Sequence, residues 1–296
     1  IQNAVFGVDA DSRLFVQGSL AFTGNLNLYM GQLAAGGTLI AEDVFLPGKW
    51  EQVMARERAN GIYLIPSKLL MLPRVFKGVN ANIRTIISGS QSLGRKDAEV
   101  LKKIFPNTEI TLYYGASELN YITYVKSADM TEERNLIGKP FPGVRVFIQD
   151  DEMYVDNAFH VENITVPYSL KDSGRMDLQG NFYFLGRTDD IVGVRGRKVS
   201  MMKIENALEE VAGITEAAVV LLPKEKDADM PAEIVSAFVT VEGTDVPENL
   251  RQQLKEKLAD FEIPKRVIVL EAFPKNTSGK VDKARLKKMW IEQEPQ

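Results

Sequence analysis

The feature that most limits the fold is an alternation in the first part of the chain. The short apolar runs Thr38-Leu39-Ile40, Ile62–Ile65, Ile83–Ser88 and Glu109–Tyr114 read as strands. Between and before them lie segments with helical patterning. These are the run Leu26, Leu28, Tyr29, Met30 and Leu33, the span Lys49–Ala59 with a charged face, Lys68–Phe76, and Gly94–Phe105 with Ala98, Leu101, Ile104 and Phe105 on one side. Strands alternating with helices at this spacing predict a parallel α/β sheet. Pro66 stops the second strand, Ser67 is placed to cap the helix after it, and Pro73 predicts a kink or an early end there. In such sheets ligands sit at the carboxyl ends of the strands. Here those ends are Ser88-Gly89-Ser90-Gln91 and Tyr114-Gly115-Ala116-Ser117-Glu118.

From about residue 136 the texture changes to short strands punctuated by Gly138-Lys139-Pro140, Pro142-Gly143, Gly174, Gly180 and Gly186. That pattern predicts a small antiparallel sheet or β-barrel-like subdomain. The strand Asn181–Leu185 then leads into Gly186–Lys198, a polar, Gly-bearing stretch that has two readings. It is a hinge between structured halves, or a β-hairpin with a charged surface turn. Beyond it Ile204, Ala207, Leu208 and Val211 mark a helix over 203–212, and Glu216–Leu222 and Ile234–Val241 read as strands. Pro247–Phe261 reads as a helix with Leu250, Leu254, Leu258 and Phe261 on one face; Arg266–Leu270 is a strand and Asp282–Glu292 a basic terminal helix. This is a compact α+β unit of about 100 residues, enough for its own core. The expected division is therefore 1–186 (parallel α/β over about 1–135, antiparallel over about 136–186), a joint at 187–190, and a small unit at 191–296.

Composition removes several chemistries. There is no cysteine, which excludes disulfides, thiolate nucleophiles and Cys-based metal sites, and His160 is the single histidine, which excludes His clusters. A net charge of −4 gives no reason to expect a nucleic-acid partner. No apolar run approaches the roughly 18 residues that a membrane span needs. A cytoplasmic location fits. Ile1–Phe6 has neither Met nor a basic segment, so it is no signal peptide and reads as the interior of something longer.

Several residues can carry chemistry. At Ser88–Gln91, Gly89 lets a planar ligand approach the backbone, although the stretch also suits a plain βα turn. The Tyr114 ring can cover an aromatic base, Ser117 offers a hydroxyl to a phosphate, and Glu118 is an oxygen ligand of the kind Mg2+ takes. The same residues equally suit a helix start, with Ser117 as cap. Asp172 could accept two hydrogen bonds from a ribose diol, or could be a turn residue. Pro274–Asp282 looks like a phosphate loop but fails the test. Pro274 stands where glycine is needed and Val281 where Ser or Thr should follow Lys280.

In this order and spacing, the segments from about residue 20 to residue 285 resemble the adenylate-forming superfamily, which includes acyl- and aryl-CoA synthetases, peptide-synthetase adenylation domains and firefly-type luciferases. The resemblance implies an ATP- and Mg2+-dependent ligase. It forms an acyl-adenylate with release of pyrophosphate and passes the acyl group to a thiol, often coenzyme A, while a small C-terminal lid domain swings about a hinge. It implies that Tyr114 stacks on adenine, that Gly89, Ser90, Gln91 and Gly115 line the nucleotide, that Ser117 touches phosphate and that Glu118 binds Mg2+. Asp172 and Arg187 would take the ribose hydroxyls, Asp189 would be the hinge, and Gly196 would sit by the coenzyme A tunnel. Lys280 would meet the α-phosphate and carboxylate oxygens, a mobile point charge where negative charge develops. The acid would lie near Phe22, Thr23, Ser88 and Ala116. Leu20, Phe22, Tyr63 and Leu64 lean towards a fatty or aryl acid.

There are departures from the pattern. Leu170-Lys171 replaces the usual Thr-Gly before Asp172, and Gly193 stands where many members have Lys. The superfamily's Ser/Thr/Gly-rich phosphate loop would fall before Ile1, so these residues alone are expected to be weak or inactive. Adenylation for a carrier protein and a non-catalytic nucleotide-binding module are the alternative readings.

Overall fold

The structure, a computed structural model, describes residues 1–194, 196–224, 233–243, 245–276 and 280–292. The chain divides into two compact units, Ile1–Phe184 and Leu185–Gln296.

In the first unit the strands β1 (Arg13–Val16), β2 (Thr38–Ala41), β3 (Gly61–Tyr63), β4 (Thr85–Gly89) and β5 (Glu109–Ala116) lie parallel in the order β2-β1-β3-β4-β5. The helices are α1 (Gln2–Phe6), α2 (Thr23–Ala34), α3 (Pro47–Arg56), α4 (Pro66–Leu69), α5 (Leu72–Val75) and α6 (Arg95–Ile104). β1 escapes the sequence pattern. It is only four residues long and follows a polar turn, yet Leu14, Phe15 and Val16 are buried between β2 and β3. The helix expected over Lys68–Phe76 is split in two. Pro66 and Pro73 each open a short helix, because proline fits the first turn and breaks an interior. Ser67 is not the cap: it lies inside α4, whose N-cap is Ile65. At α6 the Asp97 carboxylate accepts the Gly94 N–H at 2.9 Å.

Two cores flank the sheet. One gathers Phe15, Trp50, Met54, Leu69, Leu101 and Phe105. The other gathers Phe6, Leu28, Tyr63, Tyr113, Tyr121 and Phe141. Each large apolar side chain so buried is worth about 1.5–3 kcal/mol before entropy is counted.

The sheet is mixed. β6 (Asn120–Lys126) runs antiparallel to β5, so Tyr114–Glu118 belongs to a hairpin and not to a helix start. The remaining strands are β7 (Leu136–Pro140), β8 (Arg145–Gln149), β9 (Glu152–Asp156), β10 (Tyr168–Met176) and β11 (Phe182–Arg187). This antiparallel group continues the sheet in the order β6-β7-β11-β10-β9-β8. β7 is the junction, registered to β6 through Thr123↔Pro140 and Tyr124↔Lys139.

In the second unit a 3-10 turn at Thr188–Asp190 precedes the antiparallel hairpin of β12 (Ile191–Val194) and β13 (Arg197–Ser200). The hairpin reading of Gly186–Lys198 therefore holds, with the polar joint lying ahead of the hairpin. Ser200 caps α7 (Met201–Glu209), its Oγ accepting the Lys203 N–H at 3.3 Å. β14 (Ile214–Pro223), β15 (Glu233–Val241) and β16 (Arg266–Val269) form a three-stranded sheet. The helix expected over Pro247–Phe261 is shorter, α8 (Leu250–Lys255), and α9 (Lys283–Glu292) closes the unit. Val199, Ile204, Leu208, Val219, Ala237 and Leu254 form its main core, and Phe238, Phe273 and Leu286 a second.

Candidate functional site

The site of the first unit is built at the carboxyl ends of β3, β4 and β5. Gly89 closes β4 in register with Tyr113 of β5. A Cβ at Gly89 would lie 2.5–2.7 Å from the Tyr113 ring, so the ring lies directly over a residue that must be glycine. Ser90 follows with φ 72°, turning the chain outwards. The Gln91 Oε1 accepts the Ser67 N–H at 2.9 Å, which ties this turn to α4. Ser88 is fully buried and its hydroxyl donates to the Leu64 carbonyl at 2.7 Å. Ser88 thus braces two strands from within and presents nothing to a pocket.

Tyr113 and Tyr114 are adjacent on one strand and point to opposite faces. Tyr113 joins the core beneath α2. Tyr114 packs its ring on Phe184, centroids 5.9 Å apart, and its hydroxyl donates to the Asp172 carboxylate. Asp172 is not a turn residue. It stands within β10 and is 8% exposed. A carboxylate accepts several hydrogen bonds at once, so the bond from Tyr114 fixes Asp172 without exhausting what it can accept. Two residues distant in sequence are thereby joined, one suited to a base and one to a sugar.

Gly115 is exposed at the hairpin, and a Cβ there would run into the Asn120 carbonyl. Ser117 is exposed; its Oγ accepts from the Thr23 Oγ1 at 3.1 Å. Thr23 is the first residue of α2, and Phe22, its N-cap, is 40% exposed. Glu118 is half-buried, held by its carbonyl, which accepts the Val161 N–H at 2.9 Å. Ala116 ends β5, half-buried. Glu118 follows Ser117 in the chain, and a carboxylate and hydroxyls are oxygen donors. Mg2+ takes such donors, completing them with phosphate oxygens and water. Among the described residues no three His, Cys, Asp or Glu side chains gather as a metal cage. The donor chemistry of Glu118, a single carboxylate, suits a Mg2+ ion that takes its other ligands from phosphate and water.

Arg187, Asp189, Gly196 and Lys280 belong to the second unit. Arg187 is exposed at the end of β11, and the side chain of Asp189 lies outside the described residues. Gly196 turns the β12–β13 hairpin with φ 79° and open space around it. Lys280 is exposed. The Asn276 Oδ1 accepts its N–H at 3.0 Å, and the Asn276 N–H donates to its carbonyl at 2.8 Å.

Sequence reasoning missed a polar seam. The Tyr63 and Tyr113 hydroxyls meet at 2.9 Å, and Asn27 of α2 donates to the Asn120 Oδ1 at 2.5 Å. Burial pushes the Tyr63, Tyr113 and Tyr121 hydroxyls well up, so they stay neutral. The helical spacing of Thr23 and Asn27 was a usable signal.

The chain itself matches known family models. The model for AMP-binding enzymes matches residues 1–158, and that for the AMP-binding enzyme C-terminal domain matches 203–280. The chain belongs to the AMP-binding enzyme family. Among the curated relatives of this AMP-binding chain is the uncharacterised acyl–CoA ligase YhfT of Bacillus subtilis strain 168, 25% identical over 98% of this chain and 63% of the relative. A linear gramicidin synthase of Brevibacillus parabrevis is 26% identical over 96% of this chain and 6% of that protein. Among solved structures, O-succinylbenzoate coenzyme A synthetase (MenE) of Bacillus subtilis, in complex with ATP and magnesium ion, superposes with a TM-score of 0.81. It is 19% identical, over 97% of this chain and 63% of MenE. The AMP-binding chain thus spans about 63% of YhfT and of MenE. No helix among the described residues is long and apolar enough to cross a membrane.

Proposed function

We propose that these residues form the nucleotide face and lid of an ATP-dependent acid–thiol ligase. A carboxylate oxygen of the acid attacks the α-phosphorus of ATP and pyrophosphate leaves, giving an acyl-adenylate. The thiol of coenzyme A then attacks the acyl carbon and AMP leaves. Tyr114 packs on adenine along the Gly89–Gln91 turn, while Asp172 and Arg187 hold the ribose. Ser117 and Thr23 donate to phosphate oxygens, and Glu118 holds Mg2+, which neutralises the phosphates. Lys280 supplies charge where it develops on the α-phosphate. Residues 187–190 act as the hinge, centred on Asp189, and Gly196 lies by the coenzyme A path.

One observation carries the reading: the Tyr114 hydroxyl is bonded to the Asp172 carboxylate, which assembles a base face and a sugar acceptor in one place. The relatives' names supply the acid and the thiol; likeness to the linear gramicidin synthase favours a carrier-protein thiol as the second reading. The fatty or aryl acid expected from Leu20, Phe22, Tyr63 and Leu64 remains the substrate class. A cytoplasmic setting supplies ATP and free coenzyme A. The test is mass spectrometry of the native protein supplied with ATP, Mg2+, coenzyme A and a panel of acids. Acid-dependent AMP together with an acyl-coenzyme A supports the ligase. Nucleotide binding with no acid-dependent AMP would show a nucleotide-binding module instead.

A further inference from the structure

We infer that Lys68 is a covalent acylation site: a half-buried amine, held only by neutral groups, that takes an acyl group from a mixed anhydride or a thioester. The inference goes beyond the ligase reading and stands apart from it, because an activated acyl group can come from this chain's own acyl-adenylate or from outside.

The Lys68 Nζ donates to the Gln17 carbonyl at 3.2 Å and to the Gln17 Oε1. The Phe45 ring lies 5.7 Å from the same nitrogen. Each of these groups is neutral. Among the described residues no Asp or Glu pairs with Lys68. Lys126, Lys203 and Lys283, by contrast, each meet a glutamate, at 3.6, 2.7 and 2.8 Å. A carboxylate partner favours the ammonium, whereas burial among neutral groups disfavours it. Lys68 is half-buried, and that burial pushes its ammonium below the ordinary lysine range. The nucleophile is the neutral amine, and a desolvated lysine supplies more of it.

The amine is also open to a donor. Phe45 belongs to the exposed apolar run of Val44, Phe45 and Leu46, a surface on which an acyl group can lie. Gln17 follows β1, and Lys68 lies in α4, which follows β3. Both therefore stand at the carboxyl ends of parallel strands, on the edge of the sheet that carries the Gly89–Gln91 turn. The step balances. The Nζ lone pair attacks the acyl carbon and the N–C bond forms. The bond from that carbon to the phosphate oxygen or thiol sulfur breaks, and phosphate, AMP or thiolate leaves with the electron pair. One amine proton passes to water. The product amide keeps one N–H for Gln17 and removes a charge that no carboxylate compensates.

The test is peptide mapping by mass spectrometry of the native protein after separate, brief exposure to acetyl phosphate, to acetyl-coenzyme A, and to ATP with Mg2+ and the panel of acids. With an added donor, the Lys68 peptide is expected to gain an acetyl group several-fold faster than the peptides of Lys126, Lys203 and Lys283. Lys68→Arg keeps the charge and is expected to lose that label. Gln17→Glu sets a carboxylate against the amine and is expected to slow labelling of Lys68 several-fold while leaving the other three unchanged. Label that requires both ATP and an acid supports the site and assigns the donor to this chain's own acyl-adenylate. Label from the added donors alone supports the site with an outside donor, whatever becomes of the ligase reading. Lys68 labelled no faster than the paired lysines in any arm would overturn the inference and leave the ligase reading standing. A Gln17→Glu variant labelled as fast as the parent would overturn the part given to the neutral cradle.

Discussion

Tyr114 acts at both ends of its side chain. Its ring leans on Phe184 and its hydroxyl holds Asp172. A hydrogen bond to a charged group is worth about 1.5–3 kcal/mol, roughly a tenfold effect or more on a dissociation constant. Tyr114→Phe keeps the ring and loses the bond. Calorimetric titration is expected to show ATP affinity lowered about tenfold; an unchanged affinity would remove Asp172 from the nucleotide site. Gly89→Ala is expected to destabilise by about 1–3 kcal/mol, because Tyr113 must give way; urea unfolding measures it. The chemistry-bearing residue types were legible here, since Tyr114, Ser117 and Glu118 fall in one short stretch. The Tyr114–Asp172 and Asn27–Asn120 bonds were not. Their partners are 58 and 93 residues apart, and only the tertiary pairing brings them together.

The elements owe their limits to local chemistry. The turn between β10 and β11 is wrapped around Asp177, whose Oδ1 accepts the Gln179 and Asn181 N–H groups and whose Oδ2 accepts Asn181 Nδ2 and the Tyr183 hydroxyl. These bonds, the Asn181 side chain foremost, hold its carboxyl below the usual range. The folded value therefore lies below the unfolded one. The carboxylate's contribution is present above the unfolded value and is lost as pH falls through the folded one. Asp177→Ala is expected to lower the urea midpoint of the first unit at neutral pH and to match the parent in strong acid. A gap that persists in acid would contradict this. Long periodic elements such as α6 and β15 were legible from their spacing. β1 was not, because three consecutive buried residues carry no period, and the helix over 68–76 divided because two prolines outweighed its apolar spacing.

At the scale of the whole molecule, each unit has its own core. Scanning calorimetry is expected to resolve two transitions. Glu205 of α7 is half-buried, accepting the Val219 N–H at 2.6 Å and pairing with Lys283 at 2.8 Å. Glu205→Ala leaves the N–H of buried Val219 without this acceptor, at a cost of about 1–3 kcal/mol. It is expected to move one transition and leave the other in place; a shift of both would show a single cooperative unit. The alternation of strands and helices, and the change of texture near residue 136, made the layout legible. The continuation of one sheet through β7 was not, since strand order is set by packing rather than by sequence neighbours. Everything proposed for the site turns on whether it activates an acid with ATP. Mg2+-dependent ATP–pyrophosphate exchange by the native protein decides this, run with and without a panel of fatty and aryl acids, in the parent and in Lys280→Gln. Exchange is expected to require the acid and to fall roughly 100-fold or more in the variant. ATP binding with exchange indifferent to the acid, or a variant as active as the parent, would contradict it.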